Sequence, residues 1–143
     1  MSHLKIWIHA VCGTKERYPF FVNETKWRVI HHIKENAKTK DIYISRINGY
    51  TDHLHILFGL NATMSVAQAI QLIKGESAFW INKNQITSTP FQWAHEYYAA
   101  SVDESSLGRI RAYIDKQEEH HRKVLFSEEY DKFMRERGAE SQG

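Results

Sequence analysis

Cysteine is nearly missing. Cys12 is the single thiol in 143 residues, which excludes an intrachain disulfide and a zinc knuckle and fits a reducing compartment. It sits in an apolar run and reads as core. Long hydrophobic stretches are missing too: none approaches the roughly 18 residues of a membrane span. The opening Met1-Ser2-His3-Leu4-Lys5 lacks the charged-then-apolar layout of a signal peptide. A cytoplasmic protein with no membrane partner is therefore expected. Charge of one sign is scarce as well. Lys and Arg number 19 against 17 Asp and Glu, a net charge of +2 with a pI near 8.6, so any contact with nucleic acid must come from a local patch. There are no internal repeats or low-complexity segments. With 42% hydrophobic and 25% charged residues, a single globular domain over residues 1–143 is expected.

The periodicities give an element order. Residues 4–11 read as a strand with Leu4, Ile6, Ile8 and Ala10 on one face, broken by Gly13-Thr14-Lys15. From Asn23, a candidate N-cap, Trp27, Ile30 and Ile33 mark a helix to about Lys38. Residues 40–50 form a second strand, with Ile42, Ile44 and Arg46 on one face and Tyr43 and Ile47 on the other. Thr51-Asp52 turns the chain into a third strand at His53, making a hairpin. A helix over 65–83 carries Val66, Ile70 and Ile73, with a break at Gly75-Glu76-Ser77. After a polar loop from Gln85 to Pro90, an aromatic segment near 95–102 makes a fourth strand. The order β-α-β-β-α-β is the split βαβ of α+β, ferredoxin-like (RRM-like) domains: a four-stranded antiparallel sheet with two helices on one face. Residues 1–102 make this core. A further helix over 103–121, capped by Ser101 or Asp103 and packed through Leu107, Ile110 and Ile114, is followed by a tail over 122–143.

In the third strand His53 and His55 alternate with apolar residues and so share a face. Two imidazoles side by side make a metal claw that lacks a third ligand; the bland reading is a pair of half-exposed strand histidines. On the last helix Tyr113 and Gln117 are one turn apart, on the flank of the packing stripe. A tyrosine there is commonly an amphipathic packing residue. Set beside the histidines, it gains a chemical sense. A divalent cation polarising a phosphodiester would help a phenol attack phosphorus, and the Gln117 amide oxygen is a suitable third ligand.

His53-Leu54-His55 and Tyr113-Ile114-Asp115-Lys116-Gln117, in that order, resemble the histidine-hydrophobe-histidine and tyrosine-x-x-x-glutamine motifs of the single-tyrosine HUH transposases of the insertion sequence 200/605 type, related to the REP-associated tyrosine transposases. The flanks are similar too, notably Lys5 to Val11, Leu72 to Ser77, Phe91-Gln92-Trp93 and Gln117 to Lys123. The resemblance implies an enzyme that cuts and rejoins single-stranded DNA at hairpin-marked element ends. Tyr113 would form a 5′-phosphotyrosine and release a 3′-OH. Mg2+ or Mn2+ would be held by His53, His55 and Gln117. It also implies a homodimer in which the tyrosine helix of one subunit can serve the other, hinged at Ser101 to Ser106. A hairpin-binding protein without turnover and a replication or relaxase-type nickase are the alternatives. For DNA contact the candidates are Lys15, Arg17, Lys74, Lys83, Arg109, Arg111, Arg122 and Lys123, with Tyr18 or Trp93 for base stacking. His95, where many relatives carry glutamine, and His120 and His121 are further candidates for the site or its DNA. His31 and His32 read as surface or core-edge residues.

Overall fold

Ile8, Ala10 and Cys12 alternate with Trp7, His9 and Val11, so the first strand is apolar on both faces and suits the inside of a sheet. In the computed structural model, which describes residues 6–117 and 131–132, it lies there. The strands β1 (Trp7–Thr14), β2 (Tyr43–Tyr50), β3 (His53–Gly59) and β4 (Trp93–Val102) form one antiparallel sheet in the order β2-β3-β1-β4. The helices α1 (Thr25–Thr39) and α2 (Val66–Lys83) cover one face. A third helix, α3 (Leu107–Asp115), follows a single 3-10 turn over Glu104–Ser106 and packs on the other face, against β2 and β3. This is the split βαβ architecture with its added helix.

Pairing decides which face each residue meets. Leu54, Ile56 and Phe58 of β3 join Ile8, Ala10 and Cys12 in the core beneath α1 and α2. Leu57 turns the other way, into a second cluster with Leu107 and Ile114 of α3, ringed by Trp7, Val102, Ile110 and Tyr113. His53 and His55 share the face of Leu57. Burial pushes the Cys12 thiol up to about 12, with the Lys74 cation opposing the shift, so this cysteine is an inert core residue.

Several local expectations are corrected. β1 continues through Gly13 and Thr14, because their pairing with His53 and Trp93 extends the ladder. Asn23 does not cap α1; it has φ 53°, and Glu24 precedes the helix without a capping side chain. The buried stripe of α1 is Lys26, Val29, Ile30, Ile33 and Ala37, whereas Trp27 is half exposed. β2 carries a bulge between Ile44 and Arg46, so Ile44 and Ile47 share the core and Arg46 leaves it; one extra residue inverts every later side chain. No break occurs at Gly75. One glycine costs about 1 kcal/mol in a helix, which the packing of Ile70, Ile73 and Ile81 exceeds. α2 starts instead from a full capping box, with Ser65 accepting from the Gln68 N–H and the Gln68 side chain accepting from the Ser65 N–H. At α3 neither Ser101 nor Asp103 caps; Asp103 leads the 3-10 turn and accepts from the Ser105 hydroxyl at 2.7 Å. That bond is the main cause holding its carboxyl below the usual range. The expected helix beyond Gln117 and the tail lie outside the described residues. Among the described residues no helix is long and apolar enough to cross a membrane.

Gly49 is where the β2–β3 hairpin tolerates no side chain. A Cβ there would stand 2.0 Å from the His53 carbonyl oxygen and 2.8 Å from the Leu54 Cα, both backbone atoms that cannot move aside alone. Gly49→Ala should therefore destabilise the protein by about 3 kcal/mol, read as a lower urea midpoint. An unchanged midpoint would show that the two strands are not so closely apposed.

Candidate active site

β3 brings His53 and His55 side by side, with ring centroids 5.1 Å apart and planes at 75°. Both are fully buried. The half-exposed reading fails because β3 is an inner strand with α3 above it, and strand order is a non-local property.

Each ring is held through Nδ1. His53 Nδ1 donates to Asp52 Oδ1 at 2.9 Å, and His55 Nδ1 meets His9 Nε2 at 2.9 Å. His9 reaches across from β1, where it stands opposite Leu57 while His55 stands opposite Val11. The two are diagonal neighbours on one face. Nε2 is then the nitrogen each ring would offer to a cation, the arrangement common for metal-ligating histidines.

Gln117 is also fully buried. Its Oε1 lies 3.2 Å from His53 Nε2, and its Nε2 donates to the Tyr113 carbonyl at 3.3 Å. The second bond fixes the amide orientation, since a flipped amide would set oxygen against oxygen at Tyr113. With a neutral His53 protonated at Nδ1, a nitrogen lone pair faces an oxygen lone pair. A proton on Nε2 or a cation between the two atoms satisfies both. Donors about 2.1 Å from one ion, at angles between about 90° and 109°, stand about 3.0–3.4 Å apart, so the observed 3.2 Å fits a cation. Among the described residues no group of three or more His, Cys, Asp or Glu side chains is placed to hold a metal ion. The candidate donors are two imidazoles and an amide oxygen.

Tyr113 is half-buried, its ring edge-on to His55 with centroids 5.4 Å apart and planes at 85°. The β2 bulge helps to set this position. Arg111 Nε donates to Ser45 Oγ at 2.9 Å, Asn48 Nδ2 donates to the Asp115 carbonyl at 3.3 Å, and Arg46 meets Asp115 at 3.4 Å. The last pair is about half exposed and contributes little; the first two tie α3 to the sheet.

The structure thus gathers His53, His55, Tyr113 and Gln117 within one chain. The cationic candidates are not gathered into one patch. Lys15 and Arg17 occupy a 3-10 turn beside the histidines, since Thr14 N–H donates to the Asp52 carbonyl, and Glu16 and Arg17 have φ near 57°. Arg109 donates to Ser106 on α3, and Arg111 stacks over Trp7 as well as binding Ser45. Lys74 and Lys83 belong to α2 on the opposite face. Lys74 Nζ donates to the Ala94 carbonyl at 2.8 Å and the His95 carbonyl at 3.3 Å, and Lys83 lies over Phe79. His95 is exposed on β4, and Trp93 is tied inward to Ser77. Tyr18 is half exposed. His31 is exposed; His32 stacks on Trp80 and pairs with Glu76 at 2.8 Å. His120, His121, Arg122 and Lys123 lie outside the described residues. Sequence reasoning missed His9 and Asp52. The signals were present: His9 has the same parity in β1 as Trp7 and Val11, and Asp52 directly precedes a strand histidine.

A family model described as "Transposase IS200 like" matches residues 2–117. No curated protein matches the chain. Among solved structures, the chain is similar to a candidate transposase from Deinococcus radiodurans R1, with 20% identity, 82% of this chain and 95% of that one covered, and a TM-score of 0.62. It is also similar to a REP-associated tyrosine transposase bound to a REP hairpin, with 12% identity, 87% and 76% coverage, and a TM-score of 0.64. At these identities the likenesses bear on the fold.

Proposed function

We propose, from the premise that the chain belongs to the IS200-like transposase family, that it cuts and rejoins single-stranded DNA at hairpin-marked ends, with Tyr113 as the nucleophile. The observation that carries this reading is the convergence of His53 Nε2 and Gln117 Oε1 at 3.2 Å, with Tyr113 edge-on to His55. A hairpin substrate is supported by the similar fold of a transposase that binds a REP hairpin.

In the cleavage step a bond forms from Tyr113 Oη to phosphorus and the P–O3′ bond breaks. The phenol proton leaves Tyr113, and a proton is taken up by the departing 3′ oxygen, so the products are a 5′-phosphotyrosine and a 3′-OH. Attack by a 3′-OH on the phosphotyrosine reverses these bonds and restores the phenol, which is why rejoining needs no nucleotide. A protonated phenol is a weak nucleophile, so the phosphate must be made more electrophilic. Mg2+ or Mn2+, held by His53, His55 and Gln117, would withdraw charge from the phosphate oxygens. Asp52 holds the His53 ring and the Tyr113 carbonyl holds the Gln117 amide, so these donors are oriented before substrate arrives. Lys15 and Arg17, beside Asp52, are suited to the flanking phosphates. Rejoining two ends calls for two tyrosines, and the reading therefore includes a homodimer, with α3 acting in its own subunit or exchanged about Ser101 to Ser106.

The test is incubation with Mn2+ and end-labelled single-stranded DNA from the regions flanking the gene, chosen for its capacity to fold into imperfect hairpins. The expected result is a protease-sensitive covalent adduct whose DNA-linked peptide contains Tyr113. Salt-sensitive binding with no adduct would instead identify a hairpin-binding protein without turnover.

A further inference from the structure

His9 has no role in the chemistry described so far, yet it is 2% exposed and bonded to a fully buried candidate ligand. The two rings stack at 19° with centroids 5.1 Å apart. Tyr98 packs edge-on against the His9 ring at 6.0 Å.

Between two neutral rings, the 2.9 Å contact from His9 Nε2 to His55 Nδ1 holds one proton, and there are two ways to place it. If His9 carries it, His55 must be protonated on Nε2 and has no lone pair there for a cation. If His55 carries it, His55 Nε2 is unprotonated and His9 accepts. Only the second arrangement gives both imidazoles of the candidate cation site a lone pair on Nε2. His53 is held as an Nδ1–H donor by the Asp52 carboxylate, and Gln117 Oε1 lies against its Nε2.

We infer that His9 is a positioning residue that accepts from His55 Nδ1–H and thereby keeps His55 Nε2 unprotonated. A histidine in water is mainly protonated on Nε2, so this tautomer must be imposed by a fixed acceptor. His9 is such an acceptor when its own proton is on Nδ1, and it is fixed because β1 and β3 are paired inner strands and its ring is clamped between His55 and Tyr98. The two rings of the site are thus oriented by unlike groups, a carboxylate for His53 and a neutral imidazole for His55. Both the tautomer and the positioning role rest on the reading of His53 and His55 as cation ligands.

The test uses the full chain, labelled with 15N and free of metal, at about pH 8, where an ordinary histidine is neutral. Long-range proton–nitrogen correlation should show His55 protonated on Nδ1. His9→Leu should return it to Nε2–H and weaken Mn2+ binding, followed by electron paramagnetic resonance, by about 10–100-fold. His9→Gln, whose Oε1 stands near the lost Nε2, should restore both, whereas a merely structural role would leave the tautomer unmoved. Wild-type protein that binds Mn2+ but whose metal-free form carries the proton on His55 Nε2 overturns the assignment of His9 alone. Wild-type protein with the Nδ1–H tautomer and no Mn2+ binding overturns the cation reading, and the positioning role with it.

Discussion

Tyr113→Phe should abolish the covalent DNA adduct and lower strand cleavage by about 10^4-fold or more, with hairpin binding unchanged. The size follows from chemistry: phenylalanine has no oxygen to attack phosphorus, and no other step replaces a missing nucleophile. The aromatic ring, its edge contact with His55 and the packing beside Leu57, Leu107 and Ile114 remain available to phenylalanine. Loss of cleavage with retained binding therefore isolates the oxygen. Gel mobility under denaturing conditions reads the adduct, and binding at several salt concentrations reads the electrostatic part of affinity. An adduct that survives in Tyr113→Phe would move the nucleophile elsewhere and sink the proposed mechanism.

Removing the cation, or one of its ligands, should have the next largest effect. A chelator should reduce wild-type cleavage by about 10^3-fold, which corresponds to the several kcal/mol that a Lewis acid contributes to a phosphoryl transition state. Mn2+ should restore it. His53→Asn should be insensitive to both additions and cleave at the chelated level, because the shorter side chain takes away Nε2 while leaving an amide near Asp52. Gln117→Leu should weaken Mn2+ binding in the same direction. Cleavage that persists in excess chelator would mean that the His53 and Gln117 contact is only a structural hydrogen bond. The unfolding midpoint of each variant separates lost chemistry from a damaged fold, since His53 is fully buried and its replacement also perturbs packing.

Much of this architecture was legible because it is local. The alternation in Asp52 to Phe58 put both histidines on one face whatever lay around them. The change from period 2 to period 3.6 after β3 located α2, and the split βαβ order followed from counting elements. Failures arose where one residue shifts a register or a neighbouring strand decides burial. The bulge at Ser45 displaced Arg46 from the face expected for it and turned it toward Asp115. Trp27 has the spacing of a core residue but lies beside the stripe that Lys26 and Val29 occupy. The cations most visible in the sequence are divided between opposite faces of the sheet, and nothing in their spacing could say so.

His53 and His55 form a two-ligand claw whose presentation depends on partners distant in the chain. By itself the sequence determined the residue types, their order and their facing, and with these the family and the candidate donors. The tertiary structure alone decided how those donors are presented: His55 through His9, 46 residues away, and His53 against Gln117, 64 residues away. The reason is physical. A hydrogen bond depends on angstrom-scale placement of two groups, and when they come from distant strands and helices, only the packing of the whole sheet against α3 sets that placement.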